Sequence, residues 1–515
     1  MSEETKQVMV TVTIDGQEKL VPQGSNLIEA ARQANITIPH YCYHKHLSIA
    51  GNCRMCQVKI EGQPKLTIAC NTTVTEGMKV STHHTSAEVA EAQRATLEFL
   101  LINHPLDCTV CDQAGQCKLQ DYFYQYDIQP SRFTEHKEHK MKATPLGPEV
   151  IYDAERCIVC TRCVRFCKEV TKSAELGVFQ RGDRSYIGVV QGAELNNPLS
   201  GTVADLCPVG ALTHRRWRFN TRIWNTTITS TVCAGCSNGC NCEVAVRDNQ
   251  VVQVKGKLTS QGNKGWMCDE GRYGFMRFEP ERRLAKPMRW NGSTYELVKS
   301  EQIVTAIKTA LFALKANSKA ALFLSPYLTK EELAAALDYA QKAFQLAATS
   351  EQISLSPRPR AVSELEAILI ASDYAPNIQA ACALNMVEQS SDWRTGLNER
   401  YLRLLKEVKD GKYAAVCIIG DYAINADQID AALVVAVRGA EFSLQLGVRE
   451  DEVLGSEELA KGTPAIAKFV LPALTVNERS GIFINRLGRE QKIKQLLTAP
   501  DEAKSEADWL KSLAE

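Results

Sequence analysis

Cys157-Ile158-Val159-Cys160-Thr161-Arg162-Cys163-Val164-Arg165-Phe166-Cys167 sets four cysteines within eleven residues, and Cys207-Pro208 follows forty residues on. Related spacing recurs on both sides of this stretch. Upstream lie Cys42, Cys53, Cys56 and Cys70, then Cys108, Cys111 and Cys117 with His104 just before them. Downstream lie Cys233, Cys236, Cys240 and Cys268. Of 19 cysteines in 515 residues, only Cys382 and Cys417 fall beyond Cys268, and all nine histidines lie at or before His214. Dense CxxC spacing in a reducing compartment reads as metal ligation rather than disulfide pairing. The N-terminal half is therefore built around metal, and the C-terminal half is not.

Each group has its own chemistry. In the first, Val8–Ile14 alternates, Asp15-Gly16 turns and Gln17–Val21 returns, which predicts a hairpin. Asn26 opens a helix through Asn35, with Glu29 as capping partner. Two strands, a helix and a loop of cysteines resemble a plant-type ferredoxin, with the first cysteine spacing lengthened. This points to a [2Fe-2S] cluster on Cys42, Cys53, Cys56 and Cys70; a four-cysteine zinc site is the bland alternative. In the second group three cysteines need a fourth ligand. His104, stiffened by Pro105, is the nearest candidate, and an ordinary loop histidine is the other reading. The third group resembles the bacterial ferredoxin run. Cys207 completes a [4Fe-4S] set with Cys157, Cys160 and Cys163, and leaves Cys167 as a spare thiol. The fourth, Cys233, Cys236, Cys240 and Cys268, encloses a predicted hairpin around Asp248-Asn249. It resembles the [4Fe-4S] domain of molybdopterin oxidoreductases, with Cys242 as a small buried thiol.

The order of the groups resembles the large iron–sulfur (G) component of the NADH-quinone oxidoreductases, respiratory complex I. The motifs that carry the resemblance are Gly51-Asn52-Cys53-Arg54-Met55-Cys56, Asn103-His104-Pro105-Leu106-Asp107-Cys108, the Cys157–Phe166 run, and Asp205-Leu206-Cys207-Pro208-Val209-Gly210-Ala211-Leu212. It runs nearly continuously over residues 8–290. The resemblance implies α+β front modules followed by a truncated α/β domain. These are a β-grasp plant-type [2Fe-2S] domain (1–82), a domain ligated by one His and three Cys (83–125), a bacterial-ferredoxin-like domain (140–222), a Mo/W-oxidoreductase-type [4Fe-4S] domain (226–283) and a molybdopterin-oxidoreductase-like domain (284–515). It also implies one [2Fe-2S] and three [4Fe-4S] clusters, no molybdopterin, and no catalytic residue on this chain. FMN and NADH would bind a partner subunit, and quinone-proximal iron–sulfur subunits would lie further on. The chain would sit on the cytoplasmic face of the bacterial inner membrane as part of the complex.

Composition narrows the field. Sixty basic residues balance sixty acidic ones, which argues against a nucleic-acid binder. No apolar run approaches the length of a membrane span, and Met1–Lys6 reads as neither a secretory signal nor a presequence. No Gly-x-Gly-x-x-Gly follows a strand, so neither nicotinamide nor flavin is assigned here. Beyond residue 284, Ile303, Ile307, Leu311 and Leu314 predict an amphipathic helix, Ala320–Leu324 and Ala415–Ile419 predict buried strands, and Thr329 with Glu332 predicts a helix cap. Glu478–Arg489 is similar to a motif of molybdopterin domains, and residues 500–515 read as a charged helix or tail. A formate dehydrogenase would need a catalytic histidine that the second half lacks. The other rivals are a diaphorase subunit of an NAD-reducing hydrogenase and a zinc-stapled scaffold. His83-His84, His136-x2-His139 and the basic run His214–Arg218 have bland readings as loops or a basic face, and Tyr122, Phe123, Tyr124 and Tyr126 as core or interface.

Overall fold

Alternating side chains make the first hairpin: Val10, Val12 and Ile14 of β1 (Met9–Ile14) turn inward, opposite β2 (Gln17–Pro22). The computed structural model describes residues 8–514 except 127–129, 259, 261, 276–282, 316–317, 388–392, 422, 425–427 and 448–464. The N-terminal hexapeptide lies outside the described residues. The chain divides into two units, Met1–Asn225 and Thr226–Glu515.

In the first unit the hairpin leads to α1 (Leu27–Gln33). Asn26 caps it by accepting the Ile28 N–H at 3.0 Å. Glu29 is not the capping partner expected. It accepts from Arg32 and from the Tyr43 hydroxyl instead, and Asn35 ends the helix in the left-handed region at φ 58°. β3 (Gln57–Ile60), β4 (Thr67–Ile68) and β5 (Met78–Ser81) complete a sheet ordered β2-β1-β5-β3-β4, with β1 and β5 parallel. Leu27, Ile28, Ala30 and Ala31 pack on its inner face. α2 (Ala87–Leu101) and α3 (Lys118–Gln125) follow. Next come β6 (Thr144–Pro145), β7 (Val150–Tyr152), α4 (Arg162–Glu169), β8 (Leu176–Phe179), β9 (Tyr186–Val189), α5 (Thr202–Leu206) and β10 (Leu212–His214). Strands β10, β7 and β6 form one small sheet, and β8 and β9 a hairpin.

The second unit opens with the antiparallel sheet β11 (Thr227–Val232), β12 (Asn241–Arg247) and β13 (Gln250–Gly256), then α6 (Asp269–Gly274). β14 (Met288–Trp290), β15 (Tyr295–Leu297), α7 (Ser300–Phe312), β16 (Ala320–Leu324), α8 (Lys330–Phe344), β17 (Ile353–Leu355), α9 (Ala380–Ala383) and α10 (Trp393–Lys409) follow. β18 (Ala415–Ile419), α11 (Ala431–Gly439), β19 (Phe442–Gly447), β20 (Phe469–Pro472), the hairpin β21 (Gly481–Ile484) and β22 (Glu490–Ile493), and α12 (Glu506–Ala514) end the unit. Among the described residues the large sheet runs β15-β14-β20-β19-β18-β16-β17, and the five strands from β20 to β17 are parallel.

Both faces of the parallel strands are covered, which explains their continuous apolar runs. Ala320, Leu322, Leu324, Ala415, Cys417 and Ile419 face a core shared with α7, α8 and α12. Ala321, Phe323, Val416 and Ile418 face one shared with α10 and α11. Cys417 is thus a core thiol. Thr329 and Glu332 form the expected capping box. The last residues are a packed helix rather than a tail: Trp509 is fully buried, and its indole N–H donates to the Pro472 carbonyl at 2.7 Å.

One polar network crosses this core. Arg479 donates to Glu332 at 2.6 Å and to Glu506 at 3.0 Å, and all three are buried. Burial pushes the Glu506 carboxyl up to about 8, against the pull of Arg479. The arginine ties the cap of α8 to the first turn of α12. Arg479→Met leaves the buried Glu332 carboxylate without its cation and the Glu506 carboxyl without its donor, a change that costs ~3–5 kcal/mol. The opening free energy of the α12 amides, read by hydrogen exchange on the full chain, is expected to fall by that order; unchanged protection would show the network to be dispensable.

Candidate metal centres

All four cysteines of the first group are buried. Cys42, Cys53 and Cys56 lie in the loop between α1 and β3, and Cys70 in a single turn after β4. Cys42 N–H reaches Cys53 Sγ at 3.5 Å. Hydrogen bonds with the Cys53 and Cys70 thiols pull Cys42 down to about 2, and the same bonds push Cys53 and Cys70 upward. The four sulfurs thus interact as one set. Asn26 does double duty: besides capping α1 it donates to the Cys70 carbonyl at 2.7 Å. Gly51, two residues before Cys53, adopts φ 62° in the left-handed region.

His104, Cys108, Cys111 and Cys117 line one open cavity with about 2140 Å³ of empty space, together with Arg156 and Gly210. Burial, with Arg156 adding to it, pushes the His104 imidazole down to about 4. It is therefore neutral, the form that ligates metal. Asp107, between His104 and Cys108, is held by Arg156 at 2.8 Å and Lys142 at 2.6 Å. Gly210 has no spatial freedom: a Cβ there would meet Cys111 Sγ at 2.0 Å.

Cys157, Cys160, Cys163 and Cys207 line a second cavity with about 320 Å³ of empty space, walled also by Tyr152, Arg162 and Val209. Cys167, one turn along α4, is fully buried but does not line it. Burial pushes its thiol up to about 12. The loop holds Val159 at φ 49° and Thr161 at φ 62°, β-branched residues in a region they rarely adopt. That strain was not visible in the sequence. Among the described residues, two buried donors near these sets have no hydrogen-bond partner: Arg162 Nε and the Tyr41 hydroxyl. Such donors are suited to the sulfurs of a bound cluster.

In the second unit Cys233, Cys236, Cys240 and Cys268 are all buried. Backbone and side-chain donors converge on them: Gly235 N–H to Cys233 Sγ at 3.4 Å, Asn238 Nδ2 to Cys240 Sγ at 3.1 Å, and Gly271 N–H to Cys268 Sγ at 3.3 Å. A Cβ at Gly271 would meet Cys233 Sγ at 2.9 Å and Cys268 Sγ at 3.2 Å. The loop is braced from later in the chain. Ser237 donates from N–H and hydroxyl to Asp373 at 2.9 and 2.6 Å, and Gln491 donates to the Gly239 carbonyl at 2.9 Å. Sequence spacing did not reveal this bracing. Cys242 is a fully buried thiol on β12, as expected.

Among the described residues no three His, Cys, Asp or Glu side chains form a site for a single metal ion. Three of the other histidines have side-chain partners. His83 contacts Gln125 at 3.0 Å, His139 pairs with Glu155 at 2.8 Å, and His214 is buried against Asp205 at 3.0 Å. Within the basic run Arg216 is tied to Glu149 at 2.6 Å and Trp217 is buried, so only part of it faces outward.

Sulfur-lined cavities, glycines that leave room for sulfur and N–H donors aimed at thiols define an iron–sulfur protein of several modules. Family models agree, in chain order: a 2Fe-2S iron-sulfur cluster binding domain (7–85), the NADH-ubiquinone oxidoreductase-G iron-sulfur binding region (93–132), the ferredoxin-like domain of the third NADH-quinone oxidoreductase subunit (147–213), the molybdopterin oxidoreductase Fe4S4 domain (226–279) and molybdopterin oxidoreductase (460–515). The resemblance to the large iron–sulfur component of complex I, carried by the cysteine motifs, is borne out. The chain is 39% identical over 280 residues to the NADH-quinone oxidoreductase G chain of Streptomyces coelicolor, covering 54% of this chain and 33% of that one. It is 37% identical over 335 residues to the mitochondrial NADH-ubiquinone oxidoreductase 78 kDa subunit of Neurospora crassa, covering 65% and 45%. A solved NAD+-reducing [NiFe]-hydrogenase in the H2-reduced state is similar at 28% identity and TM-score 0.38, covering 42% of this chain and 91% of that chain. The chain spans between a third and just under half the length of these curated relatives.

Gly210→Ala is expected to drive Cys111 out of its set. Electron paramagnetic resonance (EPR) of the reduced full chain should then lose one [4Fe-4S] signal and keep the others; an intact spectrum would separate Cys111 from any cluster.

Proposed function

We propose that this chain is the iron–sulfur relay subunit of an NADH:quinone oxidoreductase. It passes electrons from a flavin- and NADH-binding partner toward quinone-proximal iron–sulfur subunits, in a complex that couples this flow to proton translocation. The observation that carries the reading is the series of four ligand sets, in order. Cys42, Cys53, Cys56 and Cys70 would hold a [2Fe-2S] cluster in a β-grasp module. His104, Cys108, Cys111 and Cys117 would hold a [4Fe-4S] cluster, as would Cys157, Cys160, Cys163 and Cys207, and Cys233, Cys236, Cys240 and Cys268. Bound iron and sulfide supply one-electron redox chemistry; the protein supplies burial, hydrogen bonds and fixed spacing, which set each potential. The thiols of the third and fourth sets favour the protonated form. Burial pushes Cys157 up to about 11 and Cys268 up to about 12, so ionised ligands depend on iron for their counter-charge.

The α/β domain is read as a structural relic that carries no molybdopterin. In a sheet ordered β17-β16-β18-β19-β20, ligands bind outside the carboxyl ends of β16 and β18, where the order reverses. There the Ser325 hydroxyl donates to the Asp421 carbonyl. The adjoining cavity, with about 250 Å³ of empty space, is lined by Tyr327, Thr475, Arg479 and Glu506. Among the described residues its water-accessible space, about 10 Å³, is far below the usual size of a cofactor site. Among the described residues no helix is long and apolar enough to cross a membrane, which suits a chain placed at the cytoplasmic face through its partners.

Cysteine variants test the ligand sets. In anaerobic full-length protein reduced stepwise, Cys207→Ser is expected to abolish one [4Fe-4S] EPR signal, whereas Cys167→Ser leaves all signals in place. Loss of a signal in the Cys167 variant, or none in the Cys207 variant, would overturn the third set.

A further inference from the structure

Two arginines stitch the loop that carries Cys42 to the segments that carry Cys160 and Cys207. Arg162 and Arg165 lie in the first turn of α4, and are only 8% and 9% exposed. Arg165 donates through Nη2 to the Cys42 carbonyl at 2.6 Å and to the Cys160 carbonyl at 3.2 Å, and through Nη1 to the Ser48 carbonyl. Arg162 donates to the Leu206 carbonyl at 3.2 Å and to the Tyr43 carbonyl. Asn52 Nδ2, donating to the Val159 carbonyl at 3.0 Å, and Ser48 N–H, donating to Glu169 at 2.8 Å, run along the same seam. Each arginine therefore grips both ligand loops at once. Four of the five carbonyls belong to ligand residues or stand beside one: Cys42, Cys160, Tyr43 next to Cys42, and Leu206 before Cys207.

A buried guanidinium keeps its charge, and it needs an anion or a full set of acceptors to offset its lost hydration. Here the hydrogen-bond acceptors are neutral carbonyls and the Thr161 hydroxyl. Among the described residues neither arginine forms an ion pair with a carboxylate. The sulfurs of Cys160, Cys207 and Cys42 lie close enough to act on Arg162 electrostatically, and they would carry negative charge as cluster ligands. Arg162 also lines the cavity of the third set, and its Nε–H has no acceptor among the described residues. The two cations are thus placed where the charge of two sulfur-rich centres would meet.

We propose that Arg162 and Arg165 act as a shared counter-ion and spacer for the centres held by the Cys42 set and the Cys157 set, raising the reduction potential of both and fixing the gap between them. The inference rests on the cluster assignment proposed above. Each added electron makes a centre more negative, and a fixed positive charge nearby favours that state. One electron passing between the two sets leaves the total charge around the arginines unchanged. No proton moves and no bond forms or breaks. The arginines are positioning residues, since they act through the ligands and their charge.

The test is an EPR-monitored redox titration of the full chain, alone and as Arg165→Gln and Arg165→Lys. Four cluster signals in the unaltered chain establish the cluster assignment independently; their absence would sink that reading before the arginines are considered. With the signals present, Arg165→Gln is expected to lower the midpoint of the [2Fe-2S] signal and of one [4Fe-4S] signal together, leaving the other two in place. Arg165→Lys, which keeps the charge, is expected to stay near the original midpoints. Unmoved midpoints in the Gln variant, or a shift in a single centre, would overturn the proposal. So would a Lys variant that shifts as far as Gln. If Arg165→Gln fails to hold its clusters, Arg162→Gln and Arg162→Lys are read by the same criteria.

Discussion

A thiolate buried in protein is unstable without a cation beside it, and that constraint shapes this molecule. Cys160, Cys163, Cys207, Cys233, Cys240 and Cys268 are all pushed up by burial. Such thiols ionise when a metal supplies the missing charge, and metal binding then contributes directly to folding. The ligand loops consequently have little regular structure of their own. They are held instead by short hydrogen bonds to sulfur and by elements that clamp them from behind.

The clamps differ between the units. In the first, helix α4 supplies arginines, Asn26 fixes Cys70 from the cap of α1, and Gly210 leaves room for Cys111. In the second, the long α/β segment supplies Asp373 and Gln491 to the loop of Cys236 and Cys240. That gives the C-terminal segment a mechanical purpose that needs no ligand of its own. Its cap–helix network around Arg479 then matters because it keeps the supporting sheet and helices together.

Much of this was legible from spacing. The grouping of the cysteines, the first hairpin, the strands Ala320–Leu324 and Ala415–Ile419, and the Thr329–Glu332 cap depend on local periodicity, turn chemistry and short motifs, which sequence displays directly. What escaped depends on contacts between distant residues. Glu29 was drawn away from capping by Tyr43, fourteen positions on. Asp373 reaches Ser237 across 136 positions, and Arg165 reaches Ser48 across 117. The terminal segment reads as a charged helix or tail because Asp501, Glu502, Lys504, Glu506, Asp508 and Lys511 dominate its composition. Trp509, Leu510 and Leu513, spaced for one helical face, turn it into the core.

The central claim is that these ligand sets grip redox-active inorganic clusters rather than single structural ions. Mössbauer spectroscopy of 57Fe-enriched full-length protein, isolated under strict exclusion of oxygen, tests it most directly. The expected result is about 14 irons per chain, two in a [2Fe-2S] centre and four in each of three [4Fe-4S] centres, with quadrupole doublets characteristic of tetrahedral sulfur-ligated iron. A chain holding about four zinc ions and no cluster iron would contradict it.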